Sequence, residues 1–180
     1  MSHIKVPEGA PGITGPMMAY PETARALNQL AEKLLVRETP SLSKADREII
    51  ASYVSWLNQC VFCSECHGAA ADHHLKRPGF ARAVWTDVDK APISERLRSL
   101  LTIAAKVQKD GRSVTKQDVD AATGFGASEA DVHDTVLIAA AFCMFNRYVD
   151  GLGTLAPPRG SPAYAAIGER LAKNGYVKSI

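Results

Sequence analysis

The chain lacks a long apolar run, a cluster of like charges and any convincing stretch of alternating β-branched residues. Its longest apolar segment, Val136 to Phe145, is well short of the about 20 residues that a membrane helix requires, and it suits a buried core helix. No membrane span is expected. The 21 basic and 19 acidic residues leave a formal net charge of +2, with the basic side chains scattered, which argues against nucleic acid as the main partner. The missing period-two pattern excludes a sheet protein. The N-terminus, Met-Ser-His-Ile-Lys-Val-Pro-Glu-Gly, has no basic stretch leading into an apolar segment, so it does not resemble a secretory signal, and a cytoplasmic, reducing setting is expected. Cysteine is also scarce. Of the four, three crowd into one short segment, and in a reducing setting that arrangement points to catalysis or metal binding rather than to a disulfide framework. Cys143, inside the apolar run, reads as a small buried hydrophobe.

What the chain does have is helical periodicity almost throughout. At 180 residues it can bury one substantial core, and a single domain over residues 21–180 is expected behind an extended Gly- and Pro-containing arm, residues 1–20. Pro21 suits the first turn of a helix carrying Ala24, Leu27, Leu30, Ala31 and Leu34 on one side. Ser43 is a good N-cap for a helix to about Leu57, in which Glu48 sits among apolar positions. A third helix, over residues 61–75, ends before Pro78-Gly79. Further helices are expected near Phe80–Trp85, after Ser94, after Thr115, from Ser128 to about Asp150, and from Ser161-Pro162 to Asn174-Gly175. The fold class is therefore all-α, with seven or eight helices and short connections that favour antiparallel packing.

The chemistry concentrates in Cys60-Val61-Phe62-Cys63-Ser64-Glu65-Cys66-His67, with Glu48 twelve residues before Cys60. If 61–74 is helical, Cys63 and His67 stand one turn apart on one face and Cys60 lies at the helix start. Helix N-terminal amides and a nearby imidazolium favour thiolate over thiol, so a redox pair of Cys60 and Cys63 served by His67 and Glu48 is one reading. Cys63-Ser64-Glu65-Cys66-His67 also matches the haem-attachment pattern, although that chemistry normally follows export. Cys60, Cys63, Cys66 and His67 are ligand types suited to zinc, but Cys66 leaves the helix about 100° from His67, so a tetrahedral site would need the helix to break. The plainest reading is three buried thiols beside a satisfied core histidine. No cofactor and no metal are expected.

Glu48, Cys60, Cys63 and His67, followed by Gly68-Ala69-Ala70 and later by Phe145-Asn146-Arg147-Tyr148-Val149-Asp150-Gly151-Leu152-Gly153, resemble the AhpD-like alkylhydroperoxidases of the carboxymuconolactone decarboxylase superfamily. The similarity runs over roughly residues 20–160. It implies an AhpD-like helical fold, a homo-oligomer of trimeric or hexameric type, and reduction of hydroperoxides by a thiol or dithiol, lipoyl-type dithiols included. In that resemblance Cys63 is the peroxidatic thiol, Cys60 resolves its sulfenic acid, and His67 with Glu48 relays protons. The chain departs from the family's best-known member by carrying Phe62 where that member has a second histidine. A lyase like the decarboxylases of the superfamily, which lack the cysteine pair, and a non-catalytic thiol redox sensor are the alternatives. Cys66 reads as an alternative resolving thiol or as core, His74 as a polar core or interface residue, and His133 as a surface residue. Asn146, Arg147 and Asp150 read as a polar network, an intersubunit contact or a solvated helix end, while Tyr53 and Trp56 are candidates for a pocket wall.

Overall fold

The structure, a computed structural model, describes residues 2–177. Among them lie nine α-helices and one short 3-10 turn, Gly111–Ser113, with no strand. The helices are α1 (Thr14–Ala19), α2 (Pro21–Leu35), α3 (Lys44–Leu57), α4 (Val61–Leu75), α5 (Phe80–Thr86), α6 (Glu95–Lys109), α7 (Lys116–Gly124), α8 (Glu129–Gly151) and α9 (Ala163–Asn174). Eight of them begin where capping and periodicity place them. The hydroxyls of Ser43, Ser94, Thr115 and Ser128 each accept from the amide three residues on, and Asp46, Asp118 and Asp131 complete reciprocal capping boxes.

The ninth, α1, falls in the stretch expected to be extended. Gly and Pro there suggest a loop, yet Pro16 sits early in a single turn and a half and Met17 is buried. The arm before it is pinned to the C-terminal half of the chain, since the His3 amide donates to the Leu152 carbonyl at 2.8 Å and the Gly12 amide to that of Leu155 at 2.7 Å. Gly12 adopts φ +53°, and a Cβ there would lie 2.1 Å from the Phe62 ring, so both its backbone and its lack of a side chain are used.

α3 is the central helix, packing on α4, α5, α6 and α8, and α4 lies between α3 and α9. The α3–α4 connection is tight. Gln59 takes a left-handed conformation, φ +62°, which lets the Cys60 amide reach back to the Ser55 carbonyl at 3.0 Å and closes α3 with the 6→1 bond of a Schellman motif. Small residues let α4 approach its neighbours. A Cβ on Gly68 would fall 2.3 Å from the Trp85 ring, and one on Gly168 of α9 would fall 2.5 Å from the Ala69 Cβ.

A charge is buried at the far end of α3. Arg47, fully buried, donates to the Leu34 carbonyl at 2.9 Å and to Asp134 at 2.7 Å, and Arg37 pairs with the same carboxylate. Ionised groups survive burial only when paired in this way. Trp56 stacks on Trp85 at 5.5 Å between ring centroids, and the Arg159 guanidinium lies over the Trp56 ring at 4.4 Å. Trp56 and Tyr53 therefore belong to the core and take no part in the wall of the site cleft.

Candidate active site

The antiparallel α3–α4 hairpin places Glu48 opposite His67. Glu48 lies nine residues before the end of α3 and His67 six residues after the start of α4, so at about 1.5 Å per residue the two sit about 14 and 9 Å from the turn, a difference that long side chains span. His67 Nδ1 meets Glu48 Oε2 at 2.8 Å. The Glu48 side chain is only 2 % exposed and that of His67 12 %. A buried carboxylate needs hydrogen-bond partners, and this one has two. The second is Tyr176, whose hydroxyl donates to Glu48 Oε1 and lies 3.1 Å from His67 Nδ1. The Tyr176 ring stacks on the imidazole with centroids 5.8 Å apart and 15° between planes, while Phe142 meets the imidazole edge-on at 4.6 Å. The histidine is thus fixed by a hydrogen bond and by rings on two sides.

Cys60 is the N-cap of α4, with extended backbone, and is fully buried. Interaction with Cys63, with burial adding to it, holds the Cys60 proton on to well above the usual thiol range. Cys63, one turn into the helix, lines a cleft together with Cys66, His67 and Tyr176. The remaining wall is mostly apolar, built from Ile13 and Met17 at the N-terminal end, Phe62, Phe142 and Phe145, and Ile167 and Leu171 of α9. Cys60 lies behind this surface. Burial also raises the Cys66 thiol well above its usual range. All four cysteines are free thiols.

The four residues singled out from spacing, Glu48, Cys60, Cys63 and His67, are therefore brought to one place. Others are not. His133 is largely exposed and rests 3.1 Å from Asp134. His74 is half-buried, and desolvation lowers its affinity for a proton. Asn146 is buried in a polar network, accepting from Asn58 at 2.8 Å and donating to Ser55 at 3.0 Å, whereas Arg147 and Asp150 are exposed. Cys143 is half-buried rather than buried, with its sulfur 3.6 Å from the Asn58 amide nitrogen. Among the described residues no three His, Cys, Asp or Glu side chains are grouped to hold a metal ion, and no helix is long and apolar enough to cross a membrane.

Tyr176 is the functional candidate that spacing does not reveal. It stands alone after the helix-ending Gly175, on a stretch with no period to place it. Glu65 is another buried carboxylate, but Arg82 at 2.9 Å and Arg159 at 3.2 Å neutralise it and tie the segment before α9 onto α4.

Comparison with known proteins bears on this arrangement. The model of the carboxymuconolactone decarboxylase family matches residues 21–79, which include Glu48, Cys60, Cys63 and His67. A crystal structure described as an alkylhydroperoxidase AhpD core, a peroxidase-related protein from Ralstonia eutropha JMP134, superposes with a TM-score of 0.80 at 27 % identity, over 93 % of this chain and 96 % of that one. Together these matches support an AhpD-like member of the carboxymuconolactone decarboxylase superfamily. A peroxidase-related protein from Silicibacter sp. TM1040 is also similar, with a TM-score of 0.74 and 26 % identity over 84 % of this chain and 78 % of that one. No curated protein matches significantly. The helix order is that of the AhpD-like fold. Tyr176 lies outside the segment that the family model matches.

Proposed function

We propose that this AhpD-like chain is a thiol-dependent peroxidase, reducing hydroperoxides through Cys63 and Cys60 with a dithiol as electron donor. The observation that carries this reading is the division of the cysteines: Cys63 lines the cleft beside His67, whereas Cys60, one turn before it at the N-cap of α4, is fully buried. With Nδ1 committed to Glu48, Nε2 of the neutral imidazole is free to take the Cys63 proton. The thiolate attacks the terminal peroxide oxygen; an S–O bond forms as the O–O bond breaks, and the imidazolium returns its proton to the departing alkoxide, giving an alcohol and a Cys63 sulfenic acid. The Cys60 sulfur then attacks the Cys63 sulfur, so that an S–S bond forms and water leaves with the Cys60 proton. A dithiol reduces this disulfide by exchange and is itself oxidised to a disulfide. The apolar wall favours organic hydroperoxides over hydrogen peroxide.

The test is consumption of tert-butyl or cumene hydroperoxide with dithiothreitol or dihydrolipoamide in excess. Many turnovers per chain, with a Cys60–Cys63 disulfide in protein oxidised without reductant, are expected. One equivalent consumed and no turnover with any dithiol would overturn the reading in favour of a redox sensor.

A further inference from the structure

We infer that Tyr176, on the segment following α9, is a positioning residue for the His67–Glu48 pair, an inference that rests on the peroxidase reading. The two oxygens of Glu48 have separate partners: Oε2 meets His67 Nδ1 at 2.8 Å, and Oε1 accepts from the Tyr176 hydroxyl. The terminal torsion of a glutamate is soft. A carboxylate held at one oxygen can turn, and one held at both cannot. The phenol therefore keeps Oε2 aimed at Nδ1, which fixes the imidazole tautomer and leaves Nε2 for Cys63. The ring adds a second constraint by lying parallel to the imidazole at 5.8 Å. Burial and the adjacent Glu48 keep the phenol protonated, so it remains a donor.

The segment is itself latched. The amides of Tyr176 and Val177 donate to Glu32 Oε2 on α2 at 2.6 and 3.2 Å. Gly175 makes the turn at φ +69°, and a Cβ there would lie 2.5 Å from the same Glu32 oxygen. The chain is thus brought back over α2 and α4 by one carboxylate that captures two backbone donors, and the next side chain enters the site. A tyrosine that merely filled space would not need its hydroxyl on the carboxylate that orients the histidine.

The test compares the full-length wild type with Tyr176→Phe, which keeps the ring and removes the donor, and with Glu32→Gln, which weakens the latch. For Tyr176→Phe, kcat with tert-butyl hydroperoxide and dithiothreitol is expected to fall about tenfold, less than the about 10²–10⁴-fold of acid–base groups themselves because the phenol acts through Glu48, with KM nearly unchanged. The acid limb of its rate profile should move to higher pH, because a carboxylate short of one donor takes up a proton more readily. Nitrogen-15 spectra of the His67 ring should change from a single tautomer to a mixture. Glu32→Gln should show the same changes, smaller. Wild-type kcat, pH profile and ring spectra in a folded Tyr176→Phe would overturn the inference, as would a rate loss confined to Glu32→Gln. If the wild type itself reduces no peroxide, the peroxidase reading fails, while the His67 spectra still decide whether Tyr176 orients the ring.

Discussion

Gly168→Ala sets helix propensity against packing, and the structure decides which should win. Propensity alone favours alanine over glycine within a helix by about 1 kcal/mol. At this position, however, the new Cβ would lie 2.5 Å from the Ala69 Cβ, 2.6 Å from the Ala69 carbonyl carbon and 2.7 Å from the Ala70 nitrogen. Carbon atoms pack at about 3.5–4.0 Å. Two of the three opposing atoms are backbone of α4, which cannot turn aside as a side chain could, so α9 must move outward by roughly 1 Å. Overpacking of this kind costs about 1–3 kcal/mol. The obstacle here is rigid backbone, so the upper part of that range, about 2–3 kcal/mol, applies; set against the propensity gain, a net loss of about 1–2 kcal/mol is expected, lowering Tm by about 2–8 °C for a chain of this size. The assay is calorimetry together with urea denaturation, with Gly124→Ala as the comparison, because nothing lies within 4 Å of a Cβ there. Gly124→Ala should be neutral or mildly stabilising. Because α9 leads directly into Gly175 and Tyr176, Gly168→Ala should also slow peroxide reduction. A Gly168→Ala protein as stable as the wild type, or more so, would refute the account of how α9 seats on α4.

Cys63→Ser should abolish peroxide reduction, whereas Cys60→Ser should stop after one oxidation at a sulfenic acid that a trapping reagent captures; mass spectrometry distinguishes these outcomes, and a persistent disulfide to Cys66 in Cys60→Ser would reassign the resolving thiol. Cys60 and Cys66 are buried with their thiols raised above the usual range, so alkylation with iodoacetamide near neutral pH should modify Cys63 first among the three, and raising the pH to 9 should add little at the other two; peptide mapping that finds Cys60 or Cys66 modified first would contradict the placement of Cys63 at the cleft. Gln59→Gly should stabilise the chain by roughly 0.5–1 kcal/mol by relieving the left-handed backbone at φ +62°, and Gln59→Val should destabilise it, both read from denaturation midpoints.

Much of this architecture was legible in the sequence because it is set locally. The caps at Ser43, Ser94, Thr115 and Ser128 bind amides three residues away, and such short-range hydrogen bonds leave a clear mark in the residue order. The association of Glu48 with His67 was legible for a related reason, since both lie in one hairpin and the interval between them is fixed by helix geometry. What was hidden depends on distant partners. Residues 14–19 are helical because Met17 finds an apolar cleft built by α4, α8 and α9, a tertiary cause that outweighs the loop preference of Gly15 and Pro16. Arg47 and Asp134 are 87 positions apart, and each type is ordinarily exposed, so nothing local marks them as a buried pair. Tyr53 and Trp56 have the periodicity of either a core or a pocket, and only the stack on Trp85 assigns Trp56 to the core.

The α3–α4 hairpin works as a pair of meshed gears. Glu48 and His67 engage because each helix is counted from the same tight turn, and the count cannot be altered by one without disengaging them. A single residue inserted in α3 between Glu48 and Leu57 would swing the carboxylate about 100° round its helix and about 1.5 Å along it, turning it away from His67 while both helices persist. Substitution tunes this site, whereas a change of length within the hairpin takes it apart.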